Sequence, residues 1–144
     1  MKDLEGHLTI ITGGARGTGA ATARRFIDYG ATVVIGDILH DQGEELAAEL
    51  GERAHYVPHD ITRADEWARI VEKAREWGER IDSLVNNAAV LHLGTLLNTP
   101  EDVFRRVLEV NTVGPYLGLR AVVPLMREQG GGSIVNVGSL DSLV

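Results

Sequence analysis

Leu8-Thr9-Ile10-Ile11-Thr12-Gly13-Gly14-Ala15-Arg16-Gly17-Thr18-Gly19 is the stretch from which the rest of the chain can be read. Residues 8–12 are apolar and β-branched enough to form a buried strand. Gly13, Gly17 and Gly19 then permit backbone angles and close approaches that a Cβ would block. The next residues, Ala20-Ala21-Thr22-Ala23-Arg24-Arg25-Phe26, read as helix. Strand, glycine turn and helix together aim free backbone N–H groups and the positive end of a helix dipole at one spot, which suits a pyrophosphate. Taken alone the pattern also fits an ordinary tight strand-turn-helix. Its spacing is Gly-x-x-x-Gly-x-Gly, and the better-known G-x-G-x-x-G form would need a glycine at Thr22. The balance shifts with the next strand, 31–36, because Asp37 stands at its end, where a ribose would lie.

The composition narrows the classes. The 144 residues suffice for one domain with a sizeable core. A net charge of −7, from 14 basic and 21 acidic residues, disfavours nucleic acid and anionic membranes as partners. There is no cysteine, hence no disulfide and no thiolate chemistry. The opening Met1-Lys2-Asp3-Leu4-Glu5-Gly6 is too polar for a signal peptide, and no apolar run reaches membrane-spanning length, so a cytoplasmic protein is expected.

Farther along, Gly30 reads as the residue just past the first helix. Asp41 reads as the cap of a second helix, with Glu44 completing a capping box and Gly51 ending it. A third strand spans 54–57 before Pro58. Thr62 with Asp65 reads as another cap, opening a helix with Trp67, Ile70, Val71, Ala74 and Trp77 at helical spacing. A fourth strand covers 81–85 and runs into Asn86-Asn87-Ala88-Ala89. Pro100 starts a further helix with an apolar face of Val103, Phe104, Val107 and Leu108. Gly114-Pro115 should interrupt it near Asn111, with helix resuming over 116–126 and a fifth strand over 133–137. Alternating strands and helices with short links predict an α/β domain: a doubly wound parallel sheet of Rossmann type with helices on both faces. His55 and His59 are four apart but straddle Pro58, which argues against helical metal-ligand geometry, and no metal is expected.

Five motifs in order resemble the short-chain dehydrogenase/reductase family, across essentially the whole chain. They are Thr12-Gly13-Gly14-Ala15-Arg16-Gly17-Thr18-Gly19, Asp60, Asn86-Asn87-Ala88-Ala89, Asn111, and Gly132-Ser133-Ile134-Val135-Asn136-Val137-Gly138-Ser139. The detailed wording is similar to bacterial hydroxysteroid dehydrogenases within that family. The resemblance implies an oxidoreductase that interconverts a secondary alcohol and a ketone with NAD(H). It implies cofactor contacts at Gly13, Arg16, Gly17, Thr18, Gly19, Asp37, Asp60, Ile61, Asn87, Ala88 and Ala89. It also implies that Ser139 donates a hydrogen bond to the substrate carbonyl and that Asn111 holds a water in a proton relay. Asp37 can accept both ribose hydroxyls and should repel a 2′-phosphate, which favours NAD over NADP; Arg16 pulls the other way. Plainer roles compete: Asp60 as a helix cap, Asn86 and Asn87 as strand-end backbone partners, Asn111 as a kink residue bonding its own backbone. Two positions depart from the pattern. Ala89 replaces a glycine and Gly138 stands where serine is common.

The family's proton-transferring tyrosine, with a lysine four residues later, should lie about a dozen residues past Ser139, and the sequence contains no Tyr-x-x-x-Lys. Tyr116 with Arg120 precedes Ser139, and arginine cannot share a proton as lysine does. Residues 1–144 are therefore expected to be the NAD-binding part of a longer enzyme, inactive alone, with its fifth strand at an open sheet edge and an apolar ending over 140–144. A non-catalytic dinucleotide-binding or interaction module that ends at residue 144 is the alternative. A homo-oligomer is expected, with the helix around 111–126 in contact.

Overall fold

The structure is a computed structural model and describes residues 3–139. Strand β1 (Leu8–Thr12) leads to helix α1 (Gly17–Asp28), then β2 (Thr32–Asp37), α2 (His40–Leu50), β3 (Ala54–Pro58) and α3 (Ala64–Trp77). Strand β4 (Ser83–Asn86) follows, then a 3-10 turn (Leu96–Asn98), helices α4 (Glu101–Leu108) and α5 (Gly114–Glu128), and β5 (Ser133–Asn136). The five strands form one parallel sheet in the order β3-β2-β1-β4-β5. The expected architecture is thus present, with β5 at an edge of the sheet among the described residues. The apolar ending over 140–144 lies outside the described residues.

Period-two alternation in the strands splits the core into two layers. Ile10, Val34 and Leu84 point to one face, where Trp67, Ile70 and Ala74 of α3 and Val122 and Met126 of α5 cover them. Ile11, Val33, Ile35 and Val85 point to the other, against Ala20, Ala23 and Ile27 of α1 and Leu46 of α2. Both layers are closed because β1, β2 and β4 carry apolar residues at successive positions, as a sheet covered on both sides requires. Trp67 is buried in the first layer, and Trp77 is partly buried against it with its ring stacked on His55 at 4.1 Å. Both tryptophans therefore pack rather than face a ligand.

Several local expectations are corrected. Helix α2 starts at His40 after Leu39, so Asp41 lies inside its first turn; the carboxylate that takes the Leu39 N–H belongs to Asp37. Helix α3 starts at Ala64, and the Thr62 hydroxyl donates to Asp60 instead of capping it. Helix α4 buries none of its residues, and Phe104 and Leu108 are exposed. Gly114-Pro115 does not break the helix. A π-helical segment, Glu109–Val113, joins α4 to α5, and the Gly114 N–H reaches back to the Glu109 carbonyl. The wider turn keeps the chain helical up to a proline that has no N–H to give.

Candidate functional site

The chain runs from the central strand β1 out to β2 and β3 on one side and later to β4 and β5 on the other. Such a reversal leaves a crevice at the carboxyl ends of the strands. Here it is a cleft of about 310 Å³. Its walls include Gly13, Arg16, Gly17, Thr18, Asp37, Asp60, Ile61, Asn87, Ala88 and Ala89, so every cofactor residue expected from the sequence lies on it except Gly19.

Gly19 acts one layer behind. A Cβ there would come within 2.2 Å of the Gly13 carbonyl oxygen, and one on Gly13 within 2.7 Å of the Ala88 Cα. Gly13 also has φ +61°, a conformation costly for any other residue. The turn is thus pressed flat against the loop that follows β4. Gly17, with φ +54°, faces open space instead. No side chain caps α1, whose first residues Gly17 and Thr18 lie on the cleft wall; their N–H groups are the kind that bind anions.

Asp37 is 7% exposed. Its Oδ2 accepts the Ala15 N–H at 3.0 Å and its Oδ1 the Leu39 N–H at 3.1 Å. Each oxygen keeps further acceptor capacity toward the cleft. Next to it, Asp60 accepts the Thr62 N–H at 2.9 Å and the Thr62 hydroxyl at 2.7 Å through Oδ1. Burial alone would raise the Asp60 carboxyl, but those two hydrogen bonds and the charge of Arg106 hold it below the usual carboxylate range. His59 is buried, edge-on to Trp67 at 4.5 Å, with both ring nitrogens unpaired, and burial pushes its imidazole down to about 4.

The opposite wall is pinned by Thr12 and Asn87. The Thr12 hydroxyl oxygen accepts the N–H groups of Asn87 and Ala88, each at 3.1 Å. The Asn87 amide donates to the carbonyls of Thr12 at 2.9 Å and Gly13 at 3.0 Å. Asn86 donates to Asn136 across β4 and β5 at 2.8 Å.

The two residues given catalytic roles lie off the cleft wall. Asn111 is in the π-helical segment, and its amide makes both hydrogen bonds to the backbone of Val90, each at 2.9 Å. It therefore bonds the loop after β4 and not its own backbone. Ser139 is exposed, three residues past β5. Sequence reasoning missed Ile38, Leu39, His59, Val90, Arg106 and Val110, which also line the cleft. Arg106 and Val110 are four apart on one helical path, and that spacing was the available signal. Among the described residues no group of His, Asp and Glu side chains is placed to hold a metal ion. No helix among them is long and apolar enough to cross a membrane.

A crevice of this kind, with a glycine turn and a fixed acid on adjacent strands, defines a Rossmann-type α/β domain. The family model for short chain dehydrogenase matches residues 7–144, and the chain belongs to that family. It is 42% identical to a 3-alpha-(or 20-beta)-hydroxysteroid dehydrogenase of Mycobacterium tuberculosis over 140 residues, which are 97% of this chain and 54% of the relative. It is 35% identical to a cyclopentanol dehydrogenase of Comamonas testosteroni, over 100% of this chain and 59% of that one. A 3-ketoacyl-(acyl-carrier-protein) reductase from Brucella melitensis, solved with NADH, superposes with a TM-score of 0.92 at 35% identity, covering 95% of this chain and 59% of the reductase. The chain thus spans little more than half the length of these relatives.

Proposed function

We propose that residues 1–144 are the NAD(H)-binding part of an oxidoreductase that interconverts a secondary alcohol and a ketone on a small, hydroxysteroid-like or cyclic substrate. The observation that carries this reading is Asp37, on the wall of the cleft, whose two carboxylate oxygens are each tied to a backbone N–H group. A carboxylate so held is ready to accept the two hydroxyls of an adenosine ribose and would repel a 2′-phosphate. The cradle fits a dinucleotide in a second respect, because Cβ atoms on Gly13 and Gly19 would close the turn against Ala88 and Asn87.

In this reading the turn and the start of α1, with Gly17 and Thr18, bind the pyrophosphate, and Arg16 adds positive charge beside it. Ile38, Asp60 and Ile61 flank the adenine. Asn87, Ala88 and Ala89 run along the far ribose, and Ala89 narrows that end by one methyl group relative to glycine. Bound there, the nicotinamide would supply or accept a hydride. Ser139 would donate its hydroxyl proton in a hydrogen bond to the substrate oxygen, and Asn111 would hold a relay water next to the Val90 loop. Homo-oligomer contact belongs to the same reading, through the α4–α5 side, where Phe104, Leu108 and Tyr116 are exposed.

The test is a fluorescence titration of the purified protein with NADH and NADPH. Saturable NADH binding, weaker NADPH binding, and an NADH affinity about ten- to a hundredfold lower in Asp37→Ala are expected. Absence of saturation, or an Asp37→Ala variant with unchanged affinity, would overturn the reading.

A further inference from the structure

Tyr56 stands in β3, in register with Ile35 of β2, and its ring lies over Gly43 of α2. A Cβ on Gly43 would come within 2.3 Å of that ring, so the seat exists only because residue 43 is glycine. From there the Tyr56 hydroxyl donates to the Asp37 carbonyl oxygen at 2.9 Å. The same oxygen accepts the His59 N–H at 2.9 Å. Both of its acceptor positions are therefore filled, which fixes the peptide plane joining Asp37 to Ile38. Two residues on, the Leu39 N–H is the donor that holds Asp37 Oδ1. The main chain around Asp37 is thus clamped from β3, while its side chain is clamped from the glycine turn through Ala15.

We propose that Tyr56 is a positioning residue for dinucleotide selectivity, its hydroxyl holding the Asp37 carboxylate in the orientation that accepts the ribose hydroxyls of NADH and rejects the 2′-phosphate of NADPH. The inference rests on the dinucleotide reading above. Burial, followed by the negative charge of Asp37, pushes the Tyr56 phenol up to about 12, so it remains a donor through the working pH range. The hydroxyl also lies 3.4 Å from His40 Nδ1, at the start of α2, where it can accept a hydrogen bond from the ring while donating its own to Asp37.

Tyr56→Phe keeps the ring over Gly43 and removes only the donor. Its NADH dissociation constant should rise about three- to tenfold, the scale of one lost hydrogen bond, while that for NADPH does not rise. In an Asp37→Ala background the same substitution should have no further effect on NADH, because the group it positions is gone. Gly43→Ala, which unseats the ring and so carries the intact hydroxyl away from the Asp37 carbonyl, should narrow the NADH/NADPH ratio in the same direction. A general loosening of the fold would weaken both dinucleotides alike. Equal losses, an unchanged ratio in Tyr56→Phe, or a full additional loss on top of Asp37→Ala would each overturn the inference. If the unsubstituted protein fails to bind NADH, the dinucleotide reading falls and this inference with it. If that protein binds and Asp37→Ala does not, while Tyr56→Phe is silent, only this inference falls.

Discussion

The Thr12 hydroxyl, buried at the end of β1, is shared by the N–H groups of Asn87 and Ala88. Thr12→Val keeps the shape but leaves both N–H groups without that acceptor, whereas Thr12→Ser keeps the acceptor and loses one methyl group. Urea unfolding should show Thr12→Val less stable by about 2 kcal/mol or more, and Thr12→Ser within about 1 kcal/mol of the parent. The residue was legible as the start of a motif; its partners, some seventy-five positions away, were not. The glycines divide similarly. Their positions can be read from the chain, but only the packing distinguishes Gly13 and Gly19, which touch backbone, from Gly17, which opens on the cleft.

Among the elements, the π-helical segment between α4 and α5 carries a consequence for the loop after β4. Asn111 projects from that segment and holds both backbone polar groups of Val90, while Val110 beside it is buried in the core layer. Asn111→Ala should release the loop without unfolding the helix. Hydrogen exchange is then expected to quicken at Val90, whose N–H loses its acceptor, while protection of β1, β2 and β4 is unchanged. Equal exchange at Val90 in both proteins would refute the clamp. The sequence places Pro115 four residues past Asn111, and a break is the reasonable expectation from local rules alone. The break is absent because the extra residue of a π turn absorbs the missing donor. The caps at Asp41 and Thr62 fail for a related reason. Their neighbours Asp37 and Asp60 take the local N–H groups first, and each is placed by the sheet rather than by the helix that follows.

For the whole molecule, stability should carry the signature of His59. Its imidazole sits at about 4 when folded, against 6.5 for an ordinary histidine, because burial penalises the charged ring. The unfolded chain therefore binds the extra proton across that window. Stability from this site is complete above pH 6.5 and is lost as pH falls through 4, by roughly 3 kcal/mol in all. His55, lowered by its own partial burial, acts in the same direction. His59→Leu should flatten the acid limb in unfolding curves measured from pH 7 to pH 4.5. It should be no less stable at pH 7, since it removes two buried unpaired nitrogens. An unchanged pH slope in that variant would assign the acid loss to other groups.

Local and periodic features are written in the chain itself. Apolar runs at β spacing, apolar positions at helical spacing and a glycine turn between them specify five parallel strands with helices on both faces, because each element must bury one side. The same features place Asp37 and Asp60 at strand ends, where a crevice forms. What the sequence could not decide depends on contacts between distant segments. Tyr56 is an ordinary strand residue until α2 folds over it and its hydroxyl meets the Asp37 carbonyl. His59 is one histidine of five until Trp67 and the core close around it. Arg106 reaches the cleft only because α4 is carried there by the segment that follows β4. Such pairings depend on how the layers stack, and one-dimensional periodicity records which side of an element is buried but not which residue it meets.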